Sequence, residues 1–184
     1  MIYRDFHYER LDLKKSKSIL NKIISDFKNA DSAKIQIEAI KEVDGFSREY
    51  MTYQAMASLN YSRDINDDSA KNEKDYYDSI SPDMREIYDR FDKALHQSKF
   101  KSEIIDMFGD TFLNQIEINL KTFDSKIKGM LKEEIELKNE YTELTAGAKI
   151  EFEGKEYNLA GLGPFHSNVN RSVRKESYEA RFSW

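Results

Sequence analysis

The chain of 184 residues carries three imidazoles, His7, His96 and His166, and no cysteine. A protein-held transition metal would therefore rest on histidine and carboxylate ligands alone. No two histidines stand four residues apart, so no helix can present the paired imidazoles of an HExxH zinc site. His7-Tyr8-Glu9 comes nearest to a motif and reads as surface residues or intrachain partners. His96 falls near a helix C-terminus, where an imidazolium interacts favourably with the helix dipole. Asp64, Asp67 and Asp68 invite calcium, but the segment lacks the loop glycine and closing glutamate of an EF-hand and reads as a solvated turn. Neither a Gly-x-Ser-x-Gly elbow nor a glycine-rich phosphate loop is present. The sequence thus assigns no catalytic, cofactor-binding or metal-binding residue. Its dense positive feature is Arg171, Arg174, Lys175 and Arg181, with Glu176 and Glu179 beside them. Guanidinium forks there would meet an acidic peptide, a neighbouring domain or, the favoured reading, carboxylates on adjacent helices.

The elements that must carry these residues are helical. Ile19, Leu20, Ile23, Ile24 and Phe27 recur on one face and predict a helix over 13–29. Asp31 or Ser32 caps a second, whose stripe of Ile35, Ala39, Ile40, Val43, Phe46, Tyr50 and Tyr53 continues towards Leu59, with Gly45 as its weak point. Residues 60–74 turn polar, and Ser81-Pro82-Asp83 supplies a cap, a first-turn proline and an acid for the dipole, predicting a helix start there and an end near Ser98. A short helix over 102–108 closes on Gly109. Phe112, Leu113, Ile116 and Leu120 mark another, and Ile127 to Leu144 a long exposed one. The period switches to two at Ile150 and Phe152, predicting a β-hairpin over 149–159. Gly161, Gly163 and Pro164 read as a loop before a final helix over about 168–184, opened by Asn168 or Asn170. The fold class is mainly α: an antiparallel array of about seven helices with one short hairpin, read as a single domain over 1–184. The Met and aromatic stripes are assigned to the core.

Seven glycines and two prolines argue against an all-β fold. A net charge of -5 offers no basic field for nucleic acid. The apolar runs are only a few residues long, too short to span a membrane, and the charged N-terminus does not resemble a secretory signal, so the expected location is the cytoplasm.

The order of the pieces resembles the N-terminal region of the oligoendopeptidase F branch of the thimet-oligopeptidase-like zinc metallopeptidases. The resemblance is carried by Tyr8-Glu9-Arg10-Leu11-Asp12, Ala30-Asp31-Ser32 and Gln36-Ile37-Glu38-Ala39-Ile40. It is strongest over Leu131 to Leu137, Glu140 to Leu144, Ala148 to Gly154, Asn158-Leu159 and Arg171 to Lys175. The segment Asn66 to Lys71 departs from the family pattern, and the family's HExxH and downstream glutamate are not in this sequence. The resemblance implies that zinc belongs to the full-length family and that none of its ligands carries over. It implies a region walling a channel for oligopeptides, inactive alone, whose partners are the oligopeptide substrate or the missing catalytic domain. Self-association through an exposed apolar face is expected. The alternative is a stand-alone helical module that docks a protein or peptide.

Overall fold

A computed structural model describes residues 8–184. Among them are eight α-helices and a two-stranded antiparallel sheet, in two compact units, the first reaching to residue 132 and the second covering 133–184, described in turn.

In the first unit, α1 (Leu13–Asn29) starts at Asp12, whose side chain accepts from the Lys15 amide, and buries Leu20, Ile23, Ile24 and Phe27. The predicted bounds are those observed, and the predicted face is buried except for Ile19, which is exposed. Three residues later α2 (Ala33–Arg63) begins, and it runs unbroken through Gly45. Its buried stripe passes Ala39, Ile40, Val43 and Tyr50 and then continues to Ala57 and Tyr61. Ile35 and Leu59, expected inside, are exposed, as is Met51.

The next helix corrects the predicted start at Ser81-Pro82-Asp83. α3 (Asp68–His96) begins a full thirteen residues earlier than Ser81, capped by Asp67, which accepts from the Ser69 and Ala70 amides, and Pro82 lies buried inside it. Tyr77, Ile80, Met84, Ile87, Phe91 and Leu95 form one buried face on both sides of the proline, so packing overrides the local break. Proline cannot donate to the Asp78 carbonyl; the Ser81 hydroxyl does so instead, at 3.2 Å. Helices α1, α2 and α3 pack against one another, the short connections turning each chain direction back. A Phe27–Phe91 edge-to-face contact at 5.2 Å ties α1 to α3.

Two shorter helices follow, α4 (Lys101–Phe108) and α5 (Asp110–Thr122), separated by Gly109 at φ 84°, ψ 160°. That region of backbone space is open essentially to glycine alone, and it allows a single residue to turn one helix into the next. After a 3-10 turn (Ser125–Ile127) comes α6 (Lys128–Ala146), which has no fully buried residue, as its charged sequence predicts. Its first residue, Lys128, pairs with Asp83 and, at 2.9 Å, with Glu86 of α3. Asp83 also meets Lys17 at 3.4 Å.

The second unit centres on Ile150, Phe152 and Leu162. Strands β1 (Ile150–Phe152) and β2 (Lys155–Tyr157) pair with Phe152 opposite Lys155. The two-residue connection, Glu153 at φ 50° and Gly154 at φ 73°, is the type I′ geometry that suits a twisted hairpin. The segment expected to be a loop holds a further helix, α7 (Gly163–His166), started by Pro164 and too short to show a period. Its Phe165 stands edge-on to Phe152 at 4.9 Å and to Tyr157 at 5.2 Å, covering the hairpin. The last helix, α8 (Arg171–Ser183), is capped by the Asn170 side chain, which accepts from the Ser172 amide.

Candidate functional site

The acidic turn that invited calcium is a pair of caps. Asp64 accepts from the Asn66 amide at 3.0 Å, and Asp67 holds the first turn of α3. Among the described residues, no three His, Cys, Asp or Glu side chains converge as metal ligands. His96 sits 3.7 Å from Glu117 and His166 stacks on Tyr178 at 4.2 Å; His7 lies outside the described residues. The side chains of the described residues do not fit a zinc site.

The arginines of α8 divide into two kinds. Arg174 donates to the carbonyls of Asn168 and Val169 at 2.6 and 3.1 Å, and Arg181 donates to the Leu159 carbonyl at 3.3 Å. Carbonyls of the same unit thus take the place of the expected carboxylates, because α8 packs on loops whose C=O groups lack strand or helix partners. Lys175 pairs with Glu179 one turn along its own helix. Arg171 is exposed, and no side chain among the described residues pairs with it. Beside it Tyr178 stacks between His166 and Phe182, at 48% and 78% exposure for Tyr178 and Phe182. The His166 Nε2 has no hydrogen-bond partner among the described residues, and the ring is held against Tyr178 by stacking.

A second constellation escaped the sequence reading. The Tyr8 hydroxyl donates to Glu73 at 2.6 Å, and Arg10 donates to both oxygens of Glu73 through Nε and Nη2. Tyr77 accepts from the Leu11 amide, while Tyr76 accepts from the Leu13 amide and donates to the Leu11 carbonyl. Arg10 also lies over the Tyr76 ring at 4.6 Å. Segment 8–13 is thereby strapped along α3. The Arg10 hydrogen bonds hold the Glu73 carboxyl below its ordinary range against the opposing effect of burial, with Tyr8 assisting. Burial, then the bond to Glu73, pushes the Tyr8 phenol up, so it remains a donor. The legible signal was Glu73, Tyr76 and Tyr77 at i, i+3 and i+4 on a helix.

Concavities adjoin these elements. One of about 340 Å³ lies between Tyr8, Asn60, Arg63, Asp67 and Glu73. Another, about 330 Å³, is an apolar shelf on α2 formed by Met51, Thr52, Ala55, Met56 and Leu59. Met51 and Leu59, assigned to the core, here face solvent, since the α2 helix buries another side against α1 and α3.

The family model for the peptidase M3 N-terminal domain matches residues 3–123. A 3.1 Å X-ray structure described as an oligoendopeptidase F is 34% identical and superposes with a TM-score of 0.94, covering 100% of this chain and 32% of that one. PZ peptidase A, solved with an inhibitor, is also 34% identical at TM-score 0.94, over 99% of this chain and 32% of that chain. A structure described as oligoendopeptidase F from Bacillus anthracis str. Ames is 29% identical at TM-score 0.93, over 100% of this chain and 34% of that chain. No curated protein matches. The chain therefore spans about a third of the length of the solved structures it matches. Family model and whole-chain superposition agree with the helical order read from the sequence: the chain belongs to the M3 peptidase family, as the N-terminal domain of an oligoendopeptidase F-like member.

Proposed function

We propose that the chain forms the N-terminal wall of an oligopeptide channel in a zinc oligopeptidase and has no peptidase activity alone. The observation that carries this reading is its superposition along its whole length on about a third of PZ peptidase A and of oligoendopeptidase F. Zinc and the residues that activate water then reside in the catalytic domain, and the described residues of this chain hold no ligand set for the metal. What the chain contributes is shape. Its helices are braced by the strap at 8–13, and the α2 shelf offers apolar contact to a bound peptide's side chains. No helix among the described residues is long and apolar enough to cross a membrane, and the reading places the protein in the cytoplasm.

The test is hydrolysis of a fluorogenic oligopeptide. The purified chain leaves it intact with or without added zinc, and activity arises when the chain is combined with the catalytic domain of an oligoendopeptidase F. Chelator-sensitive turnover that copurifies with the intact 21.7 kDa chain would overturn the proposal.

A further inference from the structure

Between the strap, the start of α1 and the middle of α2 lies a cleft of about 190 Å³. Leu11, Ile19, Phe46 and the Tyr53 ring supply its apolar lining, and the exposed side chains of Glu9 and Glu49 border it. Small-molecule and cofactor sites take roughly 300–1,000 Å³, so this cleft suits one long side chain rather than a whole ligand. On α2, Phe46, Glu49 and Tyr53 follow at i, i+3 and i+7 beside the buried line of Val43 and Tyr50, and one helix face thus brings two rings and a carboxylate to the same place. Tyr8 meets Tyr53 edge to face at 5.9 Å and fixes that ring.

The charges around the cleft are unbalanced. Glu9, Asp12 and Glu49 stand against Lys15, because Arg10 is committed to both oxygens of Glu73. Arg48, next to Glu49 in the chain, pairs with Asp44 instead, and among the described residues no ion pair reaches Glu9 or Glu49. Burial, then the charges of Glu49 and Glu9, push the Tyr53 phenol up, as two carboxylates near one ring must. What such an arrangement captures is visible on the neighbouring helix. There Glu73 and Tyr76, three residues apart on α3, hold Arg10 with its guanidinium forked onto the carboxylate and lying over the ring at 4.6 Å. Glu49 and Tyr53, four residues apart on α2, repeat that pairing, with Tyr53 donating to Glu49 at 3.3 Å.

We infer that the cleft is a recognition site for the arginine side chain of a peptide, its methylenes along Ile19 and Phe46 and its guanidinium against the Tyr53 ring and the carboxylates of Glu49 and Glu9. A planar fork suits a ring beside carboxylates better than the compact, strongly hydrated ammonium of lysine. The site lies within the first unit and does not depend on the channel role proposed above.

Calorimetric titration of the 184-residue chain with acetyl-Gly-Arg-Gly-amide, together with backbone NMR of the same mixture, tests the site. The peptide binds and shifts the amide signals around Glu49 and Tyr53. Its citrulline counterpart, of the same shape without the charge, binds about fivefold more weakly, and so does the arginine peptide to Glu49→Gln or Glu9→Gln. Glu117→Gln on α5 leaves the affinity unchanged, and far-UV circular dichroism verifies that all the variants keep their helix content. Equal binding of the citrulline peptide, shifts confined to other surfaces, or no binding at about 10 mM peptide overturns the inference. Methylguanidine that binds as tightly as the arginine peptide assigns the cleft to a free guanidine and overturns the peptide occupant. Each of these failures leaves the outcome of the fluorogenic assay, and with it the proposed function, untouched.

Discussion

Replacing Asp92 by asparagine should stabilise the chain at neutral pH and do nothing in acid. Asp92 lies on α3 facing α5, where its carboxylate accepts from the Asn119 amide at 3.3 Å. Burial pushes its pKa up to about 6; the Asn119 hydrogen bond and Arg85 pull it down, and the neighbouring Asp89 raises it further. Lys93 is already paired with Asp89 at 2.5 Å, and across the helix pair Glu117 faces His96, so no cation is committed to Asp92. An unfolded aspartate titrates near pH ~3.9, a difference of about two units, or about 3 kcal/mol at ~1.4 kcal/mol per unit. Because the carboxyl is only partly buried, solvent screening reduces this to about 1–2 kcal/mol. The folded pKa is the higher one, so the folded state binds the proton more tightly. The associated stability is fully present below about pH 4 and is lost as pH rises through about 6. Asparagine keeps the acceptor for Asn119 and removes the charge. Urea unfolding should show Asp92→Asn more stable by about 1–2 kcal/mol near pH 7.5 and equal to wild type near pH 4, with the difference titrating between. A carboxyl NMR titration should place the Asp92 midpoint near 6. A variant with the same stability increment at both pH values, or a midpoint near ~4, would refute burial as the cause.

Further outcomes follow from the backbone and the strap. Gly109→Ala should cost about 1–3 kcal/mol by denaturant midpoint, since nothing crowds a Cβ there and only the φ of 84° with ψ of 160° is at fault, whereas Gly45→Ala in the open interior of α2 should stabilise by about 0.5–1 kcal/mol. Glu73→Gln should cost about 0.5–1 kcal/mol near neutral pH, the pair with Arg10 being partly exposed. Its depressed pKa means that this stability is present above the unfolded value of about 4.3 and lost as pH falls through the lower folded value. Amide exchange at Leu11 and Leu13, which donate to Tyr77 and Tyr76, should accelerate in the variant; unchanged protection would show that the strap does not depend on Glu73.

Much of the helical order was readable in the residues themselves, because helix periodicity, caps and hairpin turns are interactions within a few positions of each other. The face of α1, the caps at Asp12 and Asn170, the turn at Gly109 and the alternation of Ile150 and Phe152 are local in this sense. The candidate site was less legible. Its arginines were named, but their separation into carbonyl clips and one outward cation depends on Leu159 and Asn168, brought alongside only by the hairpin and α7.

The sequence by itself determined a mainly α chain with one hairpin, without the paired histidines of a zinc peptidase, and resembling the front of an oligoendopeptidase. Tertiary structure alone decided that Pro82 sits inside a helix, that Met51 and Leu59 face outward, and that Glu73 ties down Tyr8 and Arg10. In each case partners more than sixty residues away, or the side of a helix that others happen to cover, outweigh what neighbours along the chain prefer.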